Sequence, residues 1–512
     1  MRQRSRFSLA LLAGLVLAVA GCPGGGAAIG ERCSDNGDCA SSLQCVANVC
    51  ASRCQRAPEC GDGYACDKDG FCVTATGQPG DSCASEVECA AGLACELEGS
   101  NVTDNGLLRA SCVVENAGRP AGAECDKDGQ CRNGTCALGH CADLCADTRD
   151  CGAGTSCTVI PRIETTIFPN TPKFSGCLLS HGSLRWPIPI RSTSQTVLLP
   201  VPDSARGVSL TFTVDDPNQL VGVTEMYGPT NGTARLVDAD EDYRTQGDHY
   251  YISPVRHRLD FGQSVLAMPS SPSTPLESGA YQMTVASKRL PYASGTATPS
   301  ATAVIKLDSS VSLDLHFYFL NFDDHPCSDS FGTKLDAQIA QTAAFFQRDF
   351  IGSLRTLFTH NGIVLGTVTY EDLRDHPELD SLDVANTPSL LALGAHDVGI
   401  NVFFVRSLTP VGLQAIGPNP GPAGVGGTRQ SGIVVGLDTL CYRSWSQLAR
   451  LSAHELARYM GLYDNVEVDG THVDPIMDSD LSSGNLMFYS EFGGGDLSAD
   501  QRNILSRSPV LR

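Results

Sequence analysis

The stretch HELARYMGLYD, His454 to Asp464, governs how the C-terminal part of this chain is read. It falls in a well-specified helix. Ser444-Trp445-Ser446-Gln447 fits a capping box, in which the first and fourth residues each satisfy a free backbone N–H of the other. Ala449, Ala453, Leu456 and Met460 recur at helical spacing and form a core face. Gly461 is placed to end the helix in the left-handed conformation. Residues four apart on a helix project from one face, so His454 and position 458 would address a single ion, with Glu455 beside them as general base. Gly461 turns the chain back so that residue 464 offers a third ligand. Position 458, however, is Arg458. A guanidinium has no lone pair and keeps its proton, so it cannot coordinate a metal and brings a fixed positive charge instead. Glu455 and Asp464 are both placed to pair with it. An amphipathic helix whose letters match by chance is the competing reading.

Further pieces stand in order after the helix: DGTHVDPIMDSD at Asp469–Asp480, NLMFY at Asn485–Tyr489 and LSADQ at Leu497–Gln501. Upstream, LDLHFYFLNF (Leu313–Phe322) is strand-like and strongly apolar, and Lys334 to Phe358 has helical periodicity. Strands are expected at Ile363–Tyr370, Gly399–Val405 and Ser431–Asp438, which makes an α/β domain with a mixed sheet. Taken together, these motifs resemble the metzincin zinc peptidases, and the pappalysin-like peptidases of bacteria in particular. The resemblance covers roughly the last 200 residues and sets the domain at 303–512. It implies zinc as cofactor, His454 as first ligand, Asp464 as third ligand, Glu455 as catalytic base and Met487 as the Met-turn methionine beneath the metal. Tyr489 matches a tyrosine that polarises the substrate carbonyl in some relatives. GPNPGPAGVGGTRQSGIVVGLD, from Gly417, resembles the edge-strand segment along which such enzymes lay a peptide. Two positions depart from the family pattern. Asp464 replaces a histidine by another legitimate zinc ligand, whereas Arg458 disables the site. His472, in the following loop, is the alternative source of the missing ligand.

Residues 185–302 lack cysteine and alternate. VSLTFTV places Val208, Leu210, Phe212 and Val214 on one side and Ser209, Thr211 and Thr213 on the other, a half-buried strand. TVLLPV, YYISPV, SVLAMP and YQMTVAS add short strands between turns, so a β-sandwich is expected. The stretch from Phe261 to Val285 resembles the jelly-roll accessory domains of secreted peptidases. Asp238, Asp240 and Asp242 belong to an acidic run that is either a calcium site or a solvated loop.

Twenty of the 23 cysteines lie between Cys33 and Cys177, in residues 29–180. They form five units of the form C-x5-C-x4/5-C-x(n)-C, with too few large apolar residues for a core, so disulfides must hold them. Each unit allows three pairings. Clustered zinc is the rival reading, but the CxxC pairs that metal sites favour are missing. The spacing resembles the small Dickkopf-like cysteine-rich repeats of extracellular proteins, which implies a stalk or interaction module. Cys327 and Cys441 are the candidate disulfide of the last domain, tying its first loop to the segment before the long helix.

The N-terminus carries Arg2, Arg4 and Arg6, an apolar run from Phe7 to Ala20, then Gly21-Cys22 and a Gly-rich linker at 22–28. Residues 1–21 read as a signal peptide, and Val19–Cys22 resembles a bacterial lipobox with Cys22 as the lipidated residue. A plain secretory signal is the alternative. One lipidated cysteine plus 22 that can pair fits an oxidising compartment. A net charge of -21 excludes nucleic-acid binding, because phosphate backbones would be repelled.

The expected molecule is therefore multidomain: disulfide-rich small repeats, an all-β sandwich, and an α/β metzincin-like metallopeptidase domain. Its expected role is binding of peptide, protein or envelope polymer by a degenerate peptidase, anchored through Cys22 at the outer membrane or cell surface. An active zinc endopeptidase with an unusual ligand set, and a surface stalk or adhesion protein, are the alternatives.

Overall fold

Each cysteine unit is organised by a short turn and a hairpin, and the later units also bury Leu108, Ile160, Phe174 and Leu178 in one core with the strands that follow. The computed structural model describes residues 26–512 except 68, 164–167, 240–245, 292, 321, 323–324, 326, 331 and 333. In all five units the third and fourth cysteines face each other across an antiparallel hairpin, as Cys45 does Cys50 and Cys157 does Cys177. They do not bond to each other. The third reaches back to the first and the fourth to the second, giving Cys33–Cys45 and Cys39–Cys50 in the first unit and the same pattern in the other four. The cysteine clusters are thus disulfides. Units also touch one another: Arg56 Nη1 donates to the carbonyls of Gly152 at 2.7 Å and Thr155 at 2.9 Å.

The second region is a sandwich of two antiparallel sheets. Its strands are β1 (Ser183–Ile188), β2 (Ser194–Val201), β3 (Gly207–Thr213), β4 (Leu220–Tyr227), β5 (Arg235–Asp238), β6 (Gln263–Met268), β7 (Gly279–Arg289) and β8 (Ser300–Lys306). One sheet has the order β1-β8-β3-β6 and the other β2-β7-β4-β5. Val208, Leu210, Phe212, Val223, Leu266, Met283 and Ile305 fill the space between them. Strand β8 pairs with both β1 and β3, so the sandwich continues to Lys306.

Two expectations fail here. YYISPV is not a strand: Gln246–Ile252 form a helix, α1, which leaves Ile252 76% exposed, and the N–H of Ser253 donates to His249. Neighbouring Tyr250 and Tyr251 both join an aromatic cluster with Tyr463 and Arg256, and a period-two strand would have sent them to opposite faces. Strand β3 is not half-buried either. Ser209 and Thr211 are as hidden as the apolar side, because the outer face of this sheet is covered by the C-terminal domain. Side chains there are small where backbones meet: a Cβ on Gly207 would lie 2.0 Å from the Arg507 carbonyl oxygen, and Ala267 and Val304 face Gly461 and Gly424. Lys306, fully buried, donates to the carbonyls of Ser310 and Leu511, each at 2.7 Å.

The C-terminal domain carries a five-stranded sheet made of β9 (Ser312–Phe319), β10 (Val364–Asp372), β11 (Ile400–Val405), β12 (Ala415–Ile416) and β13 (Ile433–Gly436). The order is β10-β9-β11-β13-β12. All neighbours are parallel except the edge strand β12, which runs antiparallel to β13. Helices α2 (Ala337–Thr342), α3 (Gly352–His360), α4 (Trp445–Tyr459) and α5 (Ala499–Ser506) accompany it, with a π-helical turn at Phe345–Ile351. Phe317, Phe346, Phe350, Phe404 and Trp445 interlock between sheet and helices. Cys327 is bonded to Cys441, just before α4.

Candidate functional site

Helix α4 begins with the full capping box: Ser444 accepts from Gln447 N, and the Gln447 side chain accepts from Ser444 N. Gly461 follows its end with φ of 106°, a conformation that favours glycine. The turn returns the chain so that Asp464 lies against the helix. His454, Glu455 and Asp464 are all buried, and the structure brings them together around Arg458. His454 Nε2 is 3.3 Å from Asp464 Oδ1. Arg458 Nη1 is 3.5 Å from Glu455 Oε1, and Arg458 Nε is 3.8 Å from Asp464 Oδ1. Burial alone would raise the Asp464 carboxyl, but the hydrogen bond from His454 and the Arg458 charge outweigh it and hold the group below its ordinary range. Burial works against the Arg458 charge too, and Glu455 and Asp464 overcome it and raise its pKa.

The segment carrying Met487 lies directly beneath. The Leu486 carbonyl accepts from His454 Nδ1 at 2.9 Å, and the Met487 carbonyl accepts from the N–H of Asn465, the residue after Asp464, at 3.0 Å. Met487 itself is fully buried. Arg450, one turn before His454, fixes this loop from inside: it donates to the carbonyls of Leu486 at 2.9 Å, Ser490 at 3.0 Å, Gly494 at 3.1 Å and Phe488 at 3.4 Å. Burial lowers its pKa to about 10. Sequence reasoning passed over Arg450, although an arginine at i-4 from a candidate ligand, between apolar neighbours, was a visible signal.

A second buried chain of hydrogen bonds joins the ordered motifs. Asn485 Oδ1 accepts from Met487 N at 2.8 Å, and Asn485 Nδ2 donates to Gln501 Oε1 at 2.9 Å. Gln501 Nε2 donates to Asp474 Oδ2 at 3.0 Å. NLMFY, LSADQ and DPIMD therefore occur together because one residue of each holds the others. Burial pushes the Asp474 carboxyl up to about 6.

Other candidates lie elsewhere. Tyr489 is 42% exposed, its ring is tilted against that of Phe488 at 4.6 Å between centroids, and its hydroxyl has no hydrogen-bond partner among the described residues. His472 is engaged by Asp469 and stacked on Tyr251 at 3.9 Å, so it does not supply the missing ligand. Asp238 is paired with Arg235 at 2.6 Å. Asp240, Asp242 and Cys22 lie outside the described residues.

The donor set at α4 does not fit a zinc ion. Arg458 stands where an imidazole should, and the Asp464 oxygen and His454 nitrogen that would face the metal face each other. Among the described residues, the groups of three potential ligand atoms within 4.8 Å of one another are all cysteines, each of them in a disulfide. Comparison with protein-family models and with curated proteins finds no match to this chain.

Proposed function

We propose that this chain is an exported, lipid-anchored envelope protein whose C-terminal domain is a degenerate, metzincin-like peptidase that binds peptides or envelope polymers instead of cleaving them. The observation that carries the reading is the ion-paired cluster His454–Asp464–Arg458–Glu455 at the foot of α4. A guanidinium at the ligand position excludes a three-ligand metal site, while the helix, the turn at Gly461 and the loop beneath His454 keep the form of a catalytic floor. Support for peptide binding comes from β12, an antiparallel edge strand that pairs with β13 on one side only. Gly417, just after it, approaches Glu455: a Cβ there would be 3.5 Å from Oε2. An extended peptide adding to such an edge gains main-chain hydrogen bonds directly above the cluster.

Metal analysis of the purified full-length protein tests this. The expected result is well under one zinc per chain and no cleavage of denatured protein substrates after zinc is supplied. Stoichiometric zinc with chelator-sensitive proteolysis that Glu455→Gln abolishes would make the chain an active endopeptidase. Zinc-free protein that retains no peptide would leave a structural surface protein.

A further inference from the structure

Arg458 is the exposed member of its cluster. Its side chain remains 29% accessible, while those of Glu455 and Asp464 fall to 9% and 12%. Of the three, the Arg458 side chain is therefore the one nearest solvent. Among the described residues that guanidinium donates no hydrogen bond: its contacts at 3.5 and 3.8 Å are charge contacts only, and Nε is buried without a partner. Five N–H donors in a planar fork are built to hold a carboxylate through two parallel bonds. The groups acting on its charge are Glu455, Asp464 and Tyr250. Glu467 is the further acid facing this group, and burial works against its charge.

We propose that Arg458 replaces the lost metal as a receptor for a carboxylate, so that the cleft selects peptides presenting a carboxylate at its floor while their backbone lies along β12. The inference rests on the peptide-binding reading above. Two sources share the chemistry, a C-terminal α-carboxylate and an acidic side chain. Glu455 and Asp464 set the guanidinium's orientation and compete by charge with a third carboxylate, which would be held by the N–H donors that these two leave unused.

Three pools of randomised pentapeptides, equilibrated with the full-length protein by dialysis and read by mass spectrometry, test it. One pool ends in a free carboxylate, one is amidated and lacks Asp and Glu, and one is amidated with Glu at the centre. Free-carboxylate peptides are expected to bind about tenfold or more tightly than the acid-free amides, the scale of a charge-assisted hydrogen bond. An equal gain in the third pool assigns the carboxylate to a side chain, and none assigns it to the C-terminus. Arg458→Gln should erase the preference and leave the affinity for amides. Arg458→Lys should keep part of it, as a charge without the fork, and Glu455→Gln should enlarge it. Equal binding of all pools, or a preference surviving Arg458→Gln, overturns the carboxylate receptor and leaves peptide binding standing. Absence of binding by every pool overturns both.

Discussion

Arg458 decides the chemistry of the helix it stands on, and replacing it is the most direct probe. Arg458→His restores two imidazoles at i and i+4 beside Asp464, giving three protein ligands with a position open for water. The variant is expected to take up about one zinc per chain, detected by metal analysis after dialysis. No zinc uptake would show that His454 and Asp464, as held by the Leu486 contact, do not form a metal site even with a second imidazole. Arg450 is the second decisive residue. Four carbonyls of the loop beneath His454 depend on its guanidinium. Arg450→Met leaves the part-buried carbonyls of Phe488, Ser490 and Gly494 without this donor and the Leu486 carbonyl with His454 alone, at a cost of about 3 kcal/mol. Urea unfolding followed at Trp445 should reveal it, with faster amide exchange confined first to 486–494.

Among the elements, helix α4 was legible in full, because its cap, apolar face and terminating glycine each have a local cause that tertiary contacts reinforce. The strands of the parallel sheet were legible for the same reason, as short apolar runs between turns. YYISPV was not, since the partners that make it helical, Tyr463 and Arg256, are brought to it by the tertiary fold. The motifs after α4 were visible as a set, but the chain Asn485–Gln501–Asp474 that unites them appears only in three dimensions. It has a consequence for pH. The folded state holds the proton of Asp474 up to about 6, against an ordinary 3.8, so the folded chain binds more protons than the unfolded one between those values. Stability contributed by this group is therefore present at low pH and lost as pH rises through about 6, a span worth about 3 kcal/mol at most. Thermal unfolding should show the C-terminal domain more stable at pH 5 than at pH 7 through this group, and Asp474→Asn should flatten that part of the profile. An unchanged profile would remove Asp474 as its cause.

For the molecule as a whole, the disulfide-rich N-terminal region and the strand-rich sheets after it could be read from cysteine distribution and periodicity, whereas the contacts between them could not. Alternation marked Ser209 and Thr211 as solvent-facing because an antiparallel sheet is by default wet on one side. Nothing local announces that a second domain covers that side. The closest approach sits at Gly207, whose role is visible only when the opposing Arg507 backbone is known, while Gly424 and Gly461 meet the side chains of Val304 and Ala267. Lys306 adds a buried tie from the last sandwich strand to the Leu511 carbonyl. With polar and apolar surface both sealed there, sandwich and C-terminal domain should unfold as one cooperative unit, since exposing one inner face exposes the other. Calorimetry should give a single transition for this pair of domains. Gly207→Ala separates them selectively. Its backbone conformation suits alanine, but the new methyl would press on the Arg507 carbonyl, an overpacking cost of about 1–3 kcal/mol that falls on the interface while both cores stay intact. The expected outcome is a split into two transitions with the disulfide-rich region unaffected. One sharp transition at an unchanged temperature would mean that the contact at Gly207 does not couple the domains.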